Sequence, residues 1–189
     1  LLALAQWIGE QTGATVGYLT EAANTVGAQW VQAQPQKDGK NAGEMLTGAI
    51  KAAILLNTEP AFDAAAGAKG LEQADMVITL SPFKANLDIS DVLLPVAPFT
   101  ETSGTFVNAE GRVQSFHAVV KPLGETRPAW KVLRVLANLL ELPGFDYESS
   151  QDVLTAAIGA ETNDVPSALR GTITKVAAKV PENEAAEPV

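Results

Sequence analysis

The sequence contains no cysteine and only one histidine, His117. Thiolates and imidazoles are the usual ligands of iron–sulfur clusters and structural zinc sites. Without thiolates this chain can form no disulfide, and it cannot build an iron–sulfur cluster site from its own residues. We therefore predict no metal site here, and we interpret His117 as a histidine on the surface of a strand.

Positive charge is also scarce, because 13 Lys and Arg residues face 22 Asp and Glu residues, for a net charge of −9. Like charges repel, so binding to nucleic-acid phosphates or to an anionic membrane surface is disfavoured. No apolar run reaches the roughly 20 residues that a membrane-spanning helix needs. We expect no nucleic-acid partner and no direct insertion into a membrane.

Three continuous apolar runs indicate strands that are covered on both faces: Ala52–Leu56, Met76–Leu80 and Val92–Val96. A helical segment over 64–74 separates the first two runs, and its length suits a right-handed crossover between parallel strands. The sequence therefore predicts the α/β class, with a Rossmann-like, mostly parallel sheet flanked by helices. The strand order stays open.

The other elements are predicted from apolar periodicity and from capping and breaking residues. They are a helix over 1–12, a short strand over 14–19, helices within 24–33 and 42–50, irregular strands or loops over 104–120, a helix over 128–142 and a helix from Ser149 or Ser150 to about 160. The helix over 128–142 is apolar around most of its circumference, which predicts that it is largely buried.

These elements suggest three parts: an α/β domain over 1–145 that is incomplete at its N-terminus, a helical or extended appendage over 146–180, and an acidic, disordered tail over 181–189. The chain opens on LLALAQWIGE, which has apolar residues at helical spacing but no Met and no capping residue. We interpret the chain as a fragment of a larger protein. We expect the isolated fragment to self-associate through exposed apolar surface.

The most informative segment is DVLLPVAPFTETSGTFVNAEGRVQSF, residues 91–116. It resembles the molybdopterin oxidoreductase family, in which a strand ending in "ADVVLP" is followed by "E..GT..N.EGR.Q". Three further segments resemble that family in the same order: EAANTVGAQ at 21–29, AAILLNTEPAFD at 52–63 and KPLGETRPAWKVLRVLANLL at 121–140. The chain is most similar to the cofactor-free branch of the family, the large iron–sulfur subunit of bacterial NADH–quinone oxidoreductase, or respiratory complex I.

This resemblance implies a structural and interaction region with no catalytic residue and no cofactor of its own. The parent chain would carry electrons from NADH toward quinone through iron–sulfur clusters bound elsewhere in it. The implied partners are other subunits of the complex I peripheral arm, including the flavin-bearing, NADH-oxidising subunit. The implied location is the cytoplasmic side of the bacterial inner membrane, where the protein would be peripheral.

Two alternatives stay open. The chain could be a fragment of a catalytically active molybdopterin-dependent oxidoreductase, such as a formate dehydrogenase or nitrate reductase, that binds part of the pterin dinucleotide. It could also be an unrelated α/β binding domain, in which case the four ordered segments are coincidental.

By the same resemblance, the loop after the first strand is the first part of a relict cofactor pocket. Asn57, Thr58 and Glu59 lie where the pyrophosphate of the pterin dinucleotide comes close in cofactor-binding relatives. A carboxylate such as Glu59 would repel that pyrophosphate. The chain has no GxGxxG or Walker A motif to compensate.

The turn-rich segment adds three further pocket candidates, Glu101, Asn108 and Arg112. We interpret Glu101 and Glu110 as caps of backbone amides or as partners of Arg112. Asn108 fits a turn that tolerates left-handed backbone. The stretch 84–87 and Ser90 depart from the family pattern, which puts in doubt any ligand contact made there.

Overall fold

The structure, a computed structural model, describes residues 1–159. Its strands are β1 Ala52–Leu56, β2 Met76–Ser81, β3 Val92–Pro95, β4 Gly104–Val107 and β5 Val113–Phe116. Its helices are α1 Leu2–Thr12, α2 Thr25–Trp30, α3 Ala42–Thr47, α4 Pro60–Asp63, α5 Ala129–Leu139 and α6 Ser150–Ile158. The predicted tail over 181–189 and most of the predicted appendage lie outside the described residues.

Strands β1, β2 and β3 form a parallel sheet in that order. Ile54 lies beside Ile78, and Ile78 lies beside Val92, so neighbouring strands present aliphatic side chains at the same level. The predicted α/β class with a parallel sheet flanked by helices is confirmed. The structure also supplies the strand order that the sequence pattern could not.

One face of this sheet carries the main core of the described residues. Leu55 of β1 and Val77 of β2 pack there with Leu46 of α3 and with Leu71, and all four side chains are buried. An Asn41–Glu44 capping box starts α3: Asn41 Oδ1 accepts the Glu44 N–H at 2.9 Å, and Glu44 Oε2 accepts the Asn41 N–H at 2.9 Å. The cap fixes where α3 begins and so brings Leu46 onto the sheet.

The opposite face of the sheet is only partly covered within residues 1–159. Adjacent strand residues point to opposite faces, so Ile54, Leu56, Met76, Leu80 and Val92 lie on this side. Leu80 is fully buried, whereas the other four are 50%, 40%, 42% and 38% exposed in that order. The prediction that the three strands are covered on both faces is therefore met on one face and only in part on the other among the described residues.

Two predicted elements are wrong. Residues 14–19 form no strand, because they pair with no other strand among the described residues. Residues 64–74 form no continuous helix: α4 ends at Asp63, and a single 3₁₀ turn spans Lys69–Leu71. Gly67 has a left-handed φ of 63°, and Gly70 packs directly on the backbone carbonyl of Leu46. Both glycines serve a tight crossover instead of a helix.

Strands β4 and β5 form an antiparallel hairpin, as expected from the irregular strands predicted over 104–120. The hairpin packs on α2 through a second small core of Val26, Trp30, Val107 and Val113. Asn24, which precedes α2, accepts the N–H of Val107 at 2.8 Å through Oδ1. These contacts join the α2 segment to the β4–β5 hairpin, which lies far from it in sequence, beside the parallel sheet.

Helix α5 is less buried than predicted. Ala137 is its buried residue, whereas Val135 is 49% exposed and Leu139 is 76% exposed. Val132, Val135 and Leu139 line an open groove together with Leu94 of β3. Part of the helix's apolar circumference is therefore exposed within residues 1–159.

Helix α6 is capped as predicted by Ser149, whose Oγ accepts the N–H of Asp152 at 3.1 Å. The carboxylate of Asp152 in turn accepts the N–H of Ser149 at 2.9 Å.

None of the helices in the described part of the chain is long and apolar enough to cross a membrane.

Candidate functional site

The largest cleft found lies at the carboxyl ends of the three parallel strands and has a volume of about 930 Å³. Its floor is formed by the segments that follow β1, β2 and β3, namely 56–59, 81–83 and 97–99. The β4–β5 hairpin and Trp130 of α5 form the opposite wall. Ligands of open α/β sheets bind at this edge, so this cleft is the candidate site.

The loop after β1 is stabilised by a carboxylate of its own. Asp63 Oδ2 accepts the backbone N–H of Glu59 at 2.6 Å and the hydroxyl of Thr58 at 3.0 Å. Asn57, at a left-handed φ of 50°, donates its N–H to the carbonyl of Leu80 at 2.9 Å. Pro60 has no N–H to offer. The N–H groups of Asn57 and Glu59 and the hydroxyl of Thr58 are therefore already bonded within the protein.

A second set of hydrogen bonds joins this loop to the segment between β2 and β3. Asn86 Nδ2 donates to the carbonyl of Thr58 at 2.9 Å. The hydroxyl of the fully buried Thr79 lies 2.7 Å from that of Ser90 and 3.4 Å from Asn86 Nδ2. Asn86 and Ser90 belong to the segment that departs from the family pattern, and here they determine how the floor of the cleft is held.

Aromatic side chains dominate the rest of the cleft. Phe106 and Phe116 of the hairpin pack edge to face, with ring centroids 5.3 Å apart. Phe83 and Phe99 project from the strand ends and are 71% and 75% exposed. Among the described residues that line the cleft, Glu59 carries the single ionisable side chain. The surface is therefore apolar and carries one negative charge.

The structure separates the six predicted pocket residues. Asn57, Thr58 and Glu59 line the cleft together. Glu101 lies outside it and accepts the N–H of Leu123 at 2.8 Å through Oε2, as expected of an amide cap. Asn108 and Arg112 lie at the turn between β4 and β5 and are also absent from the cleft lining.

The turn between β4 and β5 also corrects the predicted role of Asn108. Its Oδ1 accepts the N–H groups of Glu110 at 3.0 Å and Arg112 at 2.9 Å, while the left-handed φ of 83° belongs to Gly111. Arg112 pairs with Glu110 at 3.9 Å, and both side chains are exposed. Exposed pairs of this kind stabilise a fold little, so the side chain of Asn108 is the main organiser of this turn.

Sequence reasoning missed Asp63 and Asn86. Asp63 had one available signal, since an acidic residue shortly after Pro60 suits the first turn of a helix. Asn86 had none, because its partner lies in a distant segment of the chain. Residues 1–159 contain no group of three or more His, Cys, Asp or Glu side chains placed to hold a metal ion.

Comparison with known proteins assigns the family. Residues 1–139 match the family model described as molybdopterin oxidoreductase. This chain belongs to the molybdopterin oxidoreductase family. A protein named as a formate dehydrogenase in Staphylococcus aureus (strain bovine RF122 / ET3-1) is 39% identical to it over 77 residues, which are 40% of this chain and 8% of that protein.

The oxidoreductase YjgC of Bacillus subtilis (strain 168) is 40% identical over 70 residues, which are 37% of this chain and 7% of that protein. The chain therefore spans less than a tenth of the length of the curated relatives that it matches. The names of these relatives concern formate dehydrogenase and oxidoreductase activities, and the finer similarity to complex I is a proposal.

The cleft of this molybdopterin oxidoreductase family member does not fit the pyrophosphate of a pterin dinucleotide. Pyrophosphate sites offer free backbone N–H groups or cationic side chains. Here the N–H of Glu59 and the hydroxyl of Thr58 already bind the carboxylate of Asp63. Glu59 adds a second carboxylate at the same loop. A pyrophosphate would meet the carboxylate of Glu59 in the cleft and two donors that are already bonded to Asp63.

Proposed function

We propose that this chain is a structural and interaction region of the electron-transfer subunit of NADH–quinone oxidoreductase. In this proposal the cleft is a relict that holds no pterin dinucleotide. The chain itself contributes no cofactor ligand and no catalytic residue. The parent protein transfers electrons from NADH to quinone through iron–sulfur clusters whose ligands lie elsewhere in it.

The observation that carries this proposal is the internal carboxylate at the loop after β1. Asp63 binds two donors of this loop, the N–H of Glu59 at 2.6 Å and the hydroxyl of Thr58 at 3.0 Å. A phosphate group beside Asp63 and Glu59 would be repelled, because like charges at short range repel. The sequence similarity to the complex I branch of the family supports the same conclusion.

The proposal also covers partners and location. The region contacts other subunits of the peripheral arm, including the flavin-bearing subunit that oxidises NADH, on the cytoplasmic side of the bacterial inner membrane. Exposed apolar side chains on the open sheet face, such as Ile54 and Met76, support an interaction role, because such patches mark contact surfaces.

The second candidate is a catalytic oxidoreductase in which this chain forms one wall of a working pterin site. The names of the relatives favour it, since they include formate dehydrogenases. Phosphate-binding groups would then have to come from another part of the parent protein.

Elemental analysis of the intact parent protein, purified from its own cells, separates the two candidates. Molybdenum, tungsten and iron are measured together with the fluorescence of oxidised pterin, and the same sample is assayed with formate. NADH oxidation is assayed on the assembly that also contains the flavin-bearing subunit. We expect iron without stoichiometric molybdenum, tungsten or pterin, no formate oxidation, and NADH oxidation by the assembly. Stoichiometric metal with pterin and formate oxidation would replace our proposal with the second candidate.

A further inference from the structure

The groove beside α5, called the α5 groove below, has a volume of about 590 Å³. Its apolar lining consists of Leu94 of β3 and four residues of α5, namely Val132, Val135, Leu136 and Leu139. The four α5 positions follow the i, i+3, i+4, i+7 spacing of one helix face. Val135 and Leu139 are 49% and 76% exposed. The groove is therefore an aliphatic surface that residues 1–159 leave partly uncovered.

Positive charge lies along one edge of the α5 groove. Arg127, Lys131 and Arg134 line it, together with one carboxylate, that of Glu148. At 100° per residue, Lys131 and Arg134 both fall to the same side of the aliphatic stripe. The chain as a whole has the opposite balance, with 13 Lys and Arg against 22 Asp and Glu. A cationic edge beside an aliphatic floor is therefore a local feature of this groove.

The cationic edge continues into the neighbouring groove. Arg127 and Lys131 line both grooves, and Lys121 lines the neighbouring one. The segment that carries Lys121 is held in place, because the N–H of Leu123 donates to Glu101 Oε2 at 2.8 Å. Four cationic side chains, the fourth being that of residue 134, therefore border one continuous surface.

These cations have little carboxylate pairing within the described part of the chain. Nη2 of Arg127 lies 3.5 Å from the carboxylate of Glu125, and both side chains are largely exposed. Exposed pairs of this kind contribute little. Lys131 and Arg134 form no ion pair within residues 1–159, and Nζ of Lys131 lies 5.3 Å from the centre of the Trp130 ring. Their charge is therefore available to a carboxylate from outside.

Arg134 has the most unused bonding capacity. Its Nη1 donates to the carbonyl of Tyr147 at 2.6 Å. Its Nε is buried and has no acceptor among the described residues. A guanidinium has five N–H donors and a planar shape that suits bidentate pairing with a carboxylate. The groove edge therefore favours an anionic group of that kind.

We propose that the α5 groove receives an acidic, amphipathic segment of a partner protein. Its apolar residues pack on the aliphatic floor, and its carboxylates lie along the edge beside Lys131 and Arg134. Amphipathic helices bind grooves in this way through apolar residues at i, i+3, i+4 and i+7. An anionic membrane surface fits less well, because the floor is concave and the chain carries a net charge of −9.

This proposal goes beyond the function proposed above, because it does not depend on whether the strand-end cleft holds a cofactor. The two are also tested separately. Metal and pterin analysis decides the state of the cleft, whereas the binding measurements below concern only the surface of α5.

Three synthetic helical peptides test the proposal on the 189-residue chain, with binding measured by fluorescence anisotropy. The first carries a leucine stripe flanked by glutamate, and the second has lysine in place of glutamate. The third has the composition of the first, with its leucines spread around the helix. We expect the first to bind at least about tenfold more tightly than the others, and less tightly as salt rises. Equal affinities, or tightest binding of the lysine peptide, would overturn the proposal.

Matched variants separate the charged edge from the aliphatic floor. Lys131→Glu reverses a charge at the edge, and Lys84→Glu reverses one elsewhere; both lysines are exposed. Leu139→Gln and Leu87→Gln form the apolar pair, at side chains that are 76% and 61% exposed. We expect each groove variant to weaken binding of the glutamate peptide at least about tenfold and each control to change it less than about twofold. Equal effects within either pair would contradict the proposal.

Hydrogen exchange locates the bound peptide. The glutamate peptide should slow exchange of the α5 amides over 131–139 and leave those of α2 over 25–30 unchanged. Binding that leaves the α5 amides unchanged would place the peptide elsewhere and refute docking in this groove.

Two further measurements distinguish other occupants. Light scattering that shows a dimer, converted to monomer by Lys131→Glu, would assign the groove to a second copy of this chain. Tighter binding to phosphatidylserine vesicles than to the glutamate peptide, lost in the same variant, would assign it to a membrane surface. Either result would replace the partner segment that we propose.

Discussion

The two faces of the parallel sheet differ although the same three strands form both. On one face Leu55 and Val77 are buried under α3 and Leu71. On the other, Ile54 and Leu56 remain 50% and 40% exposed. Both faces are aliphatic, so the residue types alone do not distinguish them. The difference arises from which face the crossover between β1 and β2 covers.

The largest expected effect compares adjacent leucines on opposite faces. Leu55→Ala removes a side chain from the packed face and should lower the free energy of unfolding by about 2–5 kcal/mol. Leu56→Ala removes the same atoms from the open face and should lower it by less than about 1 kcal/mol. Urea denaturation of both variants measures the contrast. Equal losses would mean that the open face is covered in the intact protein.

A smaller effect is expected from the hydroxyl network on the packed face. Thr79→Val keeps the shape but removes the partner of Ser90 and Asn86. Leaving these polar groups without that partner should lower the free energy of unfolding by about 1–3 kcal/mol. Thr105→Val is the matched control, since its hydroxyl pairs with Ser115 in an exposed site and should cost within about 0.5 kcal/mol. Similar losses in thermal unfolding of the two variants would refute this ranking.

The smallest effect is expected in α6, which lies outside both sheet faces. Hydrogen bonds from Ser149 and from the Glu148 backbone lower the pKa of Asp152. A pKa lowered by folding stabilises the folded state above the unfolded pKa, and that stabilisation is lost as pH falls through the folded pKa. Below about pH 4, the protection of the α6 amides, which is the intrinsic exchange rate divided by the observed rate at the same pH, should therefore fall, while the β2 amides remain protected.

Asp152→Asn is the control for this acid effect, because asparagine does not titrate. In that variant the fall in α6 protection between about pH 5 and about pH 3 should disappear. Persistence of the same pH dependence would assign the effect to another carboxylate.

The parallel strands could be predicted because continuous aliphatic runs are a strong local signal. The irregular path of the crossover over 64–74 could not be predicted, because it depends on the packing of Gly70 on Leu46, and that contact exists only after folding. The burial of α5 was overestimated for a related reason. Its apolar circumference describes what the helix can cover, and the described residues contact one side of it.

The candidate site was predicted in part. Asn57, Thr58 and Glu59 could be placed at the cleft because the loop follows a strand of a parallel sheet. Asn108 and Arg112 were grouped with them because the resemblance places their segment near the cofactor of relatives, but here both residues lie at the far turn of the hairpin. The hydrogen bond from Asn86 to Thr58 joins residues that lie 28 positions apart in sequence. The local sequence pattern therefore could not predict this contact.

The carboxylate of Asp63 has a consequence for how members of this family are compared. A cleft of about 930 Å³ lies at the strand ends, while two donors of the adjoining loop are bonded to Asp63 from within the protein. The outline of a cleft and the availability of its hydrogen-bond donors are therefore separate observations. In the function proposed above the outline is retained without a ligand, so the state of the donors informs the assignment of a cofactor more directly than the path of the backbone does.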